Sequence, residues 1–208
     1  MIFVTVGAQM PFDRLVQAVD AWAGQRPDIE VFAQIGPTSW RPQHARWTQF
    51  LDPPAFEAAC RRAEVLVAHA GMGSIITALE LGKPILVMPR RGALGETRND
   101  HQVATARRFA ELGAVEVAWD EAELGSRLEA IVARLSGTAG ADSRPAIPSA
   151  CERAGHGPCV DRQPGQGCPR LVAALRAFIV ASPSPAPQAL MPCRAVAHDG
   201  ATAVSPGH

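Results

Sequence analysis

The chain carries no net charge: 20 acidic residues balance 20 basic ones. Nothing in its overall field therefore points to nucleic acid or an anionic membrane as a partner. It has no apolar run near the roughly 18 residues that mark a transmembrane helix. Its N-terminus, MIFVTVGAQ, lacks the basic start and small-residue cleavage site of a secretory signal. It reads as a first strand, which predicts a cytoplasmic chain. There is no paired C-x-x-C arrangement, and of the five cysteines only Cys60 falls in a periodic stretch, where one buried thiol is expected. No internal repeat is present. What is abundant is apolar: 47% of the 208 residues, enough for one domain of ordinary size, with a core and some chain besides.

Short apolar runs alternate with helical spacing along the first two thirds of the chain. Residues 2–6 (IFVTV) form a β-rich run closed by Gly7. Phe12, Leu15, Val16, Val19 and Trp22 mark one face of a helix over 12–22, which Gly24 is expected to end. A strand over 29–35 stops at Gly36-Pro37, a polar loop spans 38–46, and a short strand is expected over 47–51. Asp52-Pro53-Pro54 opens a helix that runs to Arg62, with proline where its missing N–H costs least. A strand over 65–69 leads to a glycine-bearing turn and a helix that Gly82-Lys83-Pro84 stops. Residues 85–88 form the next strand. Asn99 or Asp100 caps a helix to Leu112, ended by Gly113. A last strand over 115–119 precedes a helix capped by Asp120, with Leu124, Leu128, Ile131, Val132 and Leu135 on its inner side.

The strands are nearly all-apolar, which suits a parallel sheet covered on both faces. The fold class is thus α/β: a doubly wound, mainly parallel, Rossmann-like sheet. Such a sheet binds ligands beyond the carboxyl ends of its strands, so the residues after each strand matter most. The domain is set at 1–136. In 137–169, eleven of thirty-three residues are Gly or Pro, which reads as a disordered insert. Within 170–181, LVAALRAFIV regains helical spacing and is expected to dock on the domain. The tail at 182–208 again reads as disordered.

The central turn is Ala70, Gly71, Met72, Gly73 and Ser74. Glycines between a strand and a helix bring backbone N–H groups to a helix N-terminus, where partial positive charge suits a phosphate. They also simply make a tight turn, and both readings stand. The G-x-G-x-x-G fingerprint fails because Ile76 stands where its third glycine belongs. The acidic residue expected about 20 positions on is missing too, as the next strand ends in Met88-Pro89-Arg90-Arg91. No G-x-x-x-x-G-K-[ST] motif is present, so the phosphate would belong to another kind of nucleotide. His69, at a strand end, is either a buried or capping histidine or a functional one. Arg90 and Arg91 either offset diphosphate charge or form a solvated pair. His101 and Gln102 open a helix, where Gln102 can donate to a sugar hydroxyl or a phosphate oxygen.

Taken together, HAGMGSIITALELGKPILVMP and NDHQ, in this order and spacing, resemble the glycosyltransferase family 28 C-terminal domain. This is the nucleotide-sugar-binding half of GT-B glycosyltransferases. The opening VTVGAQMPFDRLVQAV is similar to the start of stand-alone versions of that half. Those include the catalytic subunit of the eukaryotic dolichol-diphosphate N-acetylglucosaminyltransferase and, most similar, small subunits of bacterial two-component exopolysaccharide glycosyltransferases. The resemblance covers about 1–135. It implies a UDP-sugar over the strand ends, with Gly71, Gly73 and Ser74 on the diphosphate. Asn99, His101 and Gln102 would lie near sugar and phosphates, and Gly7, Ala8 and Gln9 would line the cleft floor. Ala70, Met72 and Arg90 belong to the same implied site. Where many relatives carry a Glu that can hold the ribose hydroxyls, this chain has Thr77. The resemblance implies no metal and no other cofactor, in keeping with the lack of a D-x-D-type carboxylate pair in the central region.

The same resemblance implies a second half that binds the acceptor, expected on a separate membrane-anchored partner, with a lipid-linked sugar as acceptor. The chain would then act at the cytoplasmic face of a membrane through that partner. Inverting transfer needs a base for the acceptor hydroxyl; His69 is the candidate here, unless the partner supplies it. Two other readings compete: a non-catalytic nucleotide-sugar-binding or regulatory module that stabilises its partner, and an enzyme like the UDP-sugar epimerases that share the GT-B shape. Cys151, His156, Cys159 and Cys168 are of zinc-ligand type, but their spacing is not that of paired zinc ligands.

Overall fold

The computed structural model describes residues 1–137. The expected helix within 170–181, the tail and the cysteine-containing segment lie outside the described residues. Six strands form one sheet in the order β3-β2-β1-β4-β5-β6. They are β1 (Ile2–Thr5), β2 (Val31–Gln34), β3 (Arg46–Thr48), β4 (Val65–His69), β5 (Ile85–Met88) and β6 (Glu116–Val117). Every neighbouring pair is parallel. Four α-helices lie between them, α1 (Asp13–Gln25), α2 (Pro53–Arg62), α3 (Met72–Glu80) and α4 (His101–Glu111), and α5 (Glu121–Gly137) follows β6.

Strand alternation divides the core into two layers. Ile2, Val4, Val67, Leu86 and Met88 point to one face, where α1 brings Leu15, Val16 and Val19 and α5 brings Leu124, Leu128 and Ile131. Phe3, Leu66, Ala68 and Val87 point to the other, under Cys60 of α2, Ile75 and Ala78 of α3, and Phe109 of α4. Burying both faces is what demands the continuous apolar runs. The thiol of Cys60 is 1% exposed and is pushed up to about 11, mainly by burial and then by Glu57, so it is a packing residue.

The helix ends follow local chemistry. Asp52 caps α2 by accepting from the Ala55 N–H at 2.8 Å, and Asp120 does the same for α5 through Glu123 at 3.0 Å. Gly82 and Gly113, both at φ +62, take the left-handed position that closes α3 and α4. Three expectations need correction. Helix α1 runs past Gly24 and closes with the Arg26 N–H on the Ala23 carbonyl, just before Pro27. Gly24 is small for packing instead: a Cβ there would stand 2.9 Å from His44 Cδ2. Asp100 occupies the N-cap position of α4 without capping it, because its Oδ1 accepts from the Gly92 N–H at 2.7 Å. Leu135 is 37% exposed, one turn beyond Ile131, the last buried residue of α5.

The polar loop between β2 and β3 is held by a residue from α1. The Asp20 carboxylate, 5% exposed, accepts the N–H groups of Gln43, His44 and Ala45 at 3.0, 2.9 and 2.8 Å. A buried carboxylate is tolerated because those three donors replace its water.

Candidate functional site

Strand order reverses between β1 and β4, whose chains continue to helices on opposite faces. Beyond the carboxyl ends of these two strands lies the crevice where doubly wound sheets take ligands. The turns after β1 and β4 form its walls. Gly7 leaves β1 at φ +77, a conformation glycine adopts without strain. Its N–H donates to Thr5 Oγ1 at 3.2 Å. Gly71 caps α3 with extended backbone and no side-chain cap, so the first N–H groups of α3 are left to face the crevice.

His69 stands between the two turns. A Cβ added at Gly71 would lie 2.2 Å from His69 Nε2, and one at Gly7 would lie 2.9 Å from Cε1. Both glycines are thus required by the imidazole. Gly73 differs: a Cβ there would meet nothing within 4 Å, and its φ is not positive. Gly73 is exposed, Ser74 and Thr77 are half-buried, and i, i+3 and i+4 spacing puts the three on one face of α3. Met72 packs against the core below and Ala70 is buried, so these two offer backbone rather than side chains.

Arg90 reaches into the same place from the end of β5. It is 5% exposed, which excludes the solvated-pair reading. Its Nη2 donates to the carbonyls of Val6 at 2.8 Å and Met10 at 2.6 Å, and its guanidinium lies 5.0 Å from the Phe12 ring centre. Its backbone N–H donates to Gln102 Oε1 at 3.2 Å. Gln102 is therefore 6% exposed and tied to the floor through its carbonyl. Arg91 turns away: its side chain donates to the Trp119 carbonyl. Ala8, Gln9, Asn99 and His101 are exposed on the rim. Asn99 Oδ1 contacts His101 Nδ1 and accepts the His101 N–H at 3.4 Å.

The electrostatics of the floor keep His69 neutral. Burial and then the positive charge of Arg90 lower its pKa to about 4, outweighing the nearby Thr5 backbone, which favours the protonated ring. At neutral pH the ring can accept a proton, but with a basicity well below that of an ordinary histidine. Burial likewise lowers the pKa of Arg90, partly offset by the charge of Glu96.

Three residues that sequence reading passed over organise the site. Gln34, 5% exposed at the end of β2, directs its Nε2 to the Gly7 carbonyl at 3.5 Å. Its place near the end of an apolar run was a visible signal. Arg14 of α1 holds Glu96 by two parallel bonds of 2.8 and 2.9 Å and also reaches Glu121 at 3.1 Å. Glu96 in turn accepts the Arg91 N–H at 2.9 Å. This fastens the loop that carries Asn99 to His101. Partners 82 residues apart leave no local pattern to read.

Among the described residues, no group of three or more His, Cys, Asp or Glu is placed to hold a metal ion. No helix there is long and apolar enough to cross a membrane. A concavity of about 800 Å³ between α1 and α5 is bordered by Arg14 and Glu121, but by none of the residues after β1, β4 and β5 that form the crevice.

Comparison with known proteins identifies the family of this domain. The family model of the glycosyltransferase family 28 C-terminal domain matches residues 1–143. No curated protein matches the chain. Among solved structures, the chain is similar to the glycotransferase of kitacinnamycin, with 23% identity and a TM-score of 0.50. That match covers 84% of this chain and 42% of the other, so the chain spans less than half of that relative's length. It is also similar to ALG13 (22% identity, TM-score 0.46, covering 69% and 88%). A third match is Acinetobacter baumannii MurG (17% identity, TM-score 0.47, covering 84% and 49%).

Proposed function

This chain belongs to the glycosyltransferase family 28 C-terminal domain, and from that premise we propose that it is the donor-binding subunit of a two-component glycosyltransferase. It moves a sugar from a UDP-sugar to a polyprenyl-diphosphate-linked acceptor in polysaccharide biosynthesis. The observation that carries the reading is the pair of turns beyond β1 and β4, with the open N-terminus of α3 at Gly73. Uncapped N–H groups and the helix dipole suit a diphosphate, and space stands open where any side chain but glycine would intrude.

In this reading Gly71, Gly73 and Ser74 hold the diphosphate and Thr77 approaches the ribose. Asn99, His101 and the Nε2 of Gln102 contact the sugar and phosphates, while Gly7, Ala8 and Gln9 border the acceptor side. The departing UDP is stabilised by the α3 N-terminus, without a bound metal. A membrane-anchored partner binds the acceptor and holds this chain at the cytoplasmic face. His69 is the proton acceptor offered by this chain. Its low basicity is the observation favouring a second reading, in which the partner supplies the base or the chain only binds the nucleotide sugar.

Calorimetry of the purified full chain with UDP tests the binding step. The chain is then combined with its acceptor-binding partner in vesicles that contain a polyprenyl-diphosphate-linked sugar, and UDP release is followed for several UDP-sugars with and without a chelator. The proposal expects UDP binding and turnover by the pair that survives chelation. UDP binding without turnover would leave the binding module, and no UDP binding would remove both.

A further inference from the structure

Arg90 stands where a residue that meets the diphosphate would be sought, yet its hydrogen bonds are made within the protein. Nη2 bridges the carbonyls of Val6 and Met10, which flank Gly7, Ala8 and Gln9. Its backbone N–H is held by Gln102 from the first turn of α4. Its guanidinium rests against Phe12, the residue that leads into α1. One residue thereby joins the end of β5, the turn after β1 and the starts of α1 and α4. His69 completes the unit by filling the space between Gly7 and Gly71. Within this unit Gln34 Oε1, His69 Nδ1 and Arg90 Nε are buried without a hydrogen-bond partner among the described residues.

We infer that Arg90 is a positioning residue: through Nη2 it clamps the turn after β1 against His69 and α4, so that the crevice floor is formed before any donor arrives. Nη2 could turn to a ligand only by abandoning two carbonyls for which no other described group is seen to donate. Such a group is costly to leave unpaired once buried. A lysine keeps the charge but lacks the planar fork and its reach. The functional meaning of this clamp rests on the UDP-sugar reading, whereas the clamp itself can be tested without it.

The test uses the full chain with Arg90→Met and Arg90→Lys. Backbone amide NMR of the ligand-free proteins reports the turns, and calorimetry with UDP and with uridine, which lacks the diphosphate, reports binding. A clamp predicts that both variants shift the amides of Gly7, Met10, His69 and Gly71 while those of α5 stay in place. It also predicts that UDP and uridine weaken by a similar factor, on the order of tenfold. In Arg90→Met the His69 titration moves up from about 4; in Arg90→Lys it moves less. Unshifted amides, or a loss confined to UDP with uridine binding intact, would overturn the inference in favour of a direct phosphate contact. Should Arg90→Met fail to fold, Arg90→Lys carries the same comparison. Should the wild type bind neither ligand, the donor reading fails and the ligand-free amides alone decide on the clamp.

Discussion

Two glycines in one turn, Gly71 and Gly73, face different demands. Gly71 belongs to a floor with Gly7, His69 and the buried Arg90 and Gln102, where the His69 ring leaves no room for a side chain. Gly73 belongs to the rim with half-buried Ser74 and exposed Asn99 and His101, where no described residue requires glycine. The floor is glycine-bearing because the fold needs it. The rim glycine has open space around it, and in our reading the donor fills that space. The contrast separates residues that shape the crevice from residues that meet what enters it.

The sharpest way to break this contrast is Gly71→Ala. The new Cβ would stand 2.2 Å from His69 Nε2, so the ring must leave its slot. Overpacking of this kind is expected to cost about 3 kcal/mol, read as a shifted denaturation midpoint, and UDP binding should be lost with it. A variant within about 0.5 kcal/mol of wild type would mean that the floor is not the rigid unit described.

Acid titration addresses the same floor with a slightly smaller effect. His69 titrates near 6.5 unfolded and about 4 folded, so between these values the unfolded chain binds the extra proton. Stability is therefore complete above about pH 6.5 and falls as pH drops toward 4. The loss from this residue is ~3 kcal/mol at 1.36 kcal/mol per unit. The difference between wild type and His69→Gln over that window isolates it; parallel curves would show that His69 is not held neutral by burial.

Gly73→Ala should behave oppositely to Gly71→Ala. With space around it, an alanine in the first turn of α3 should leave stability unchanged or raise it by up to ~1 kcal/mol. UDP affinity should fall about tenfold, equivalent to about 1.4 kcal/mol. Undiminished binding would place the diphosphate elsewhere. Ser74→Ala is the mildest test. Loss of one hydroxyl donor should weaken UDP by a few fold, about 0.5–1 kcal/mol, with no change in melting temperature.

Much of the fold was legible because its signals are local. The apolar runs at 2–6, 65–69 and 85–88 are short and bounded by turn residues, as strands buried on both faces are, and Asp52, Asp120, Gly82 and Gly113 mark helix ends through their own local chemistry. Where local signals misled, a distant partner had intervened. Gly24 reads as a stop but makes room for His44, and Asp100 reads as a cap but braces Gly92. Leu135 fits the apolar spacing although the core ends a turn earlier.

The candidate site divides in the same way. The motif residues around His69 and Asn99 to Gln102 could be named in advance, because residue types and spacing are properties of the chain. Their roles could not. Whether Arg90 meets solvent, phosphate or carbonyls depends on Val6 and Met10, more than 75 residues away, and the basicity of His69 depends on burial and on that same arginine. The sequence by itself determined a doubly wound sheet with a glycine turn between one of its strands and the next helix, since hydrophobic period and glycine placement act over a few residues. Only the tertiary structure decided that one glycine of that turn serves the histidine and the other serves open space. Steric room and dielectric environment are set by whatever packs alongside, and the chain order does not record it.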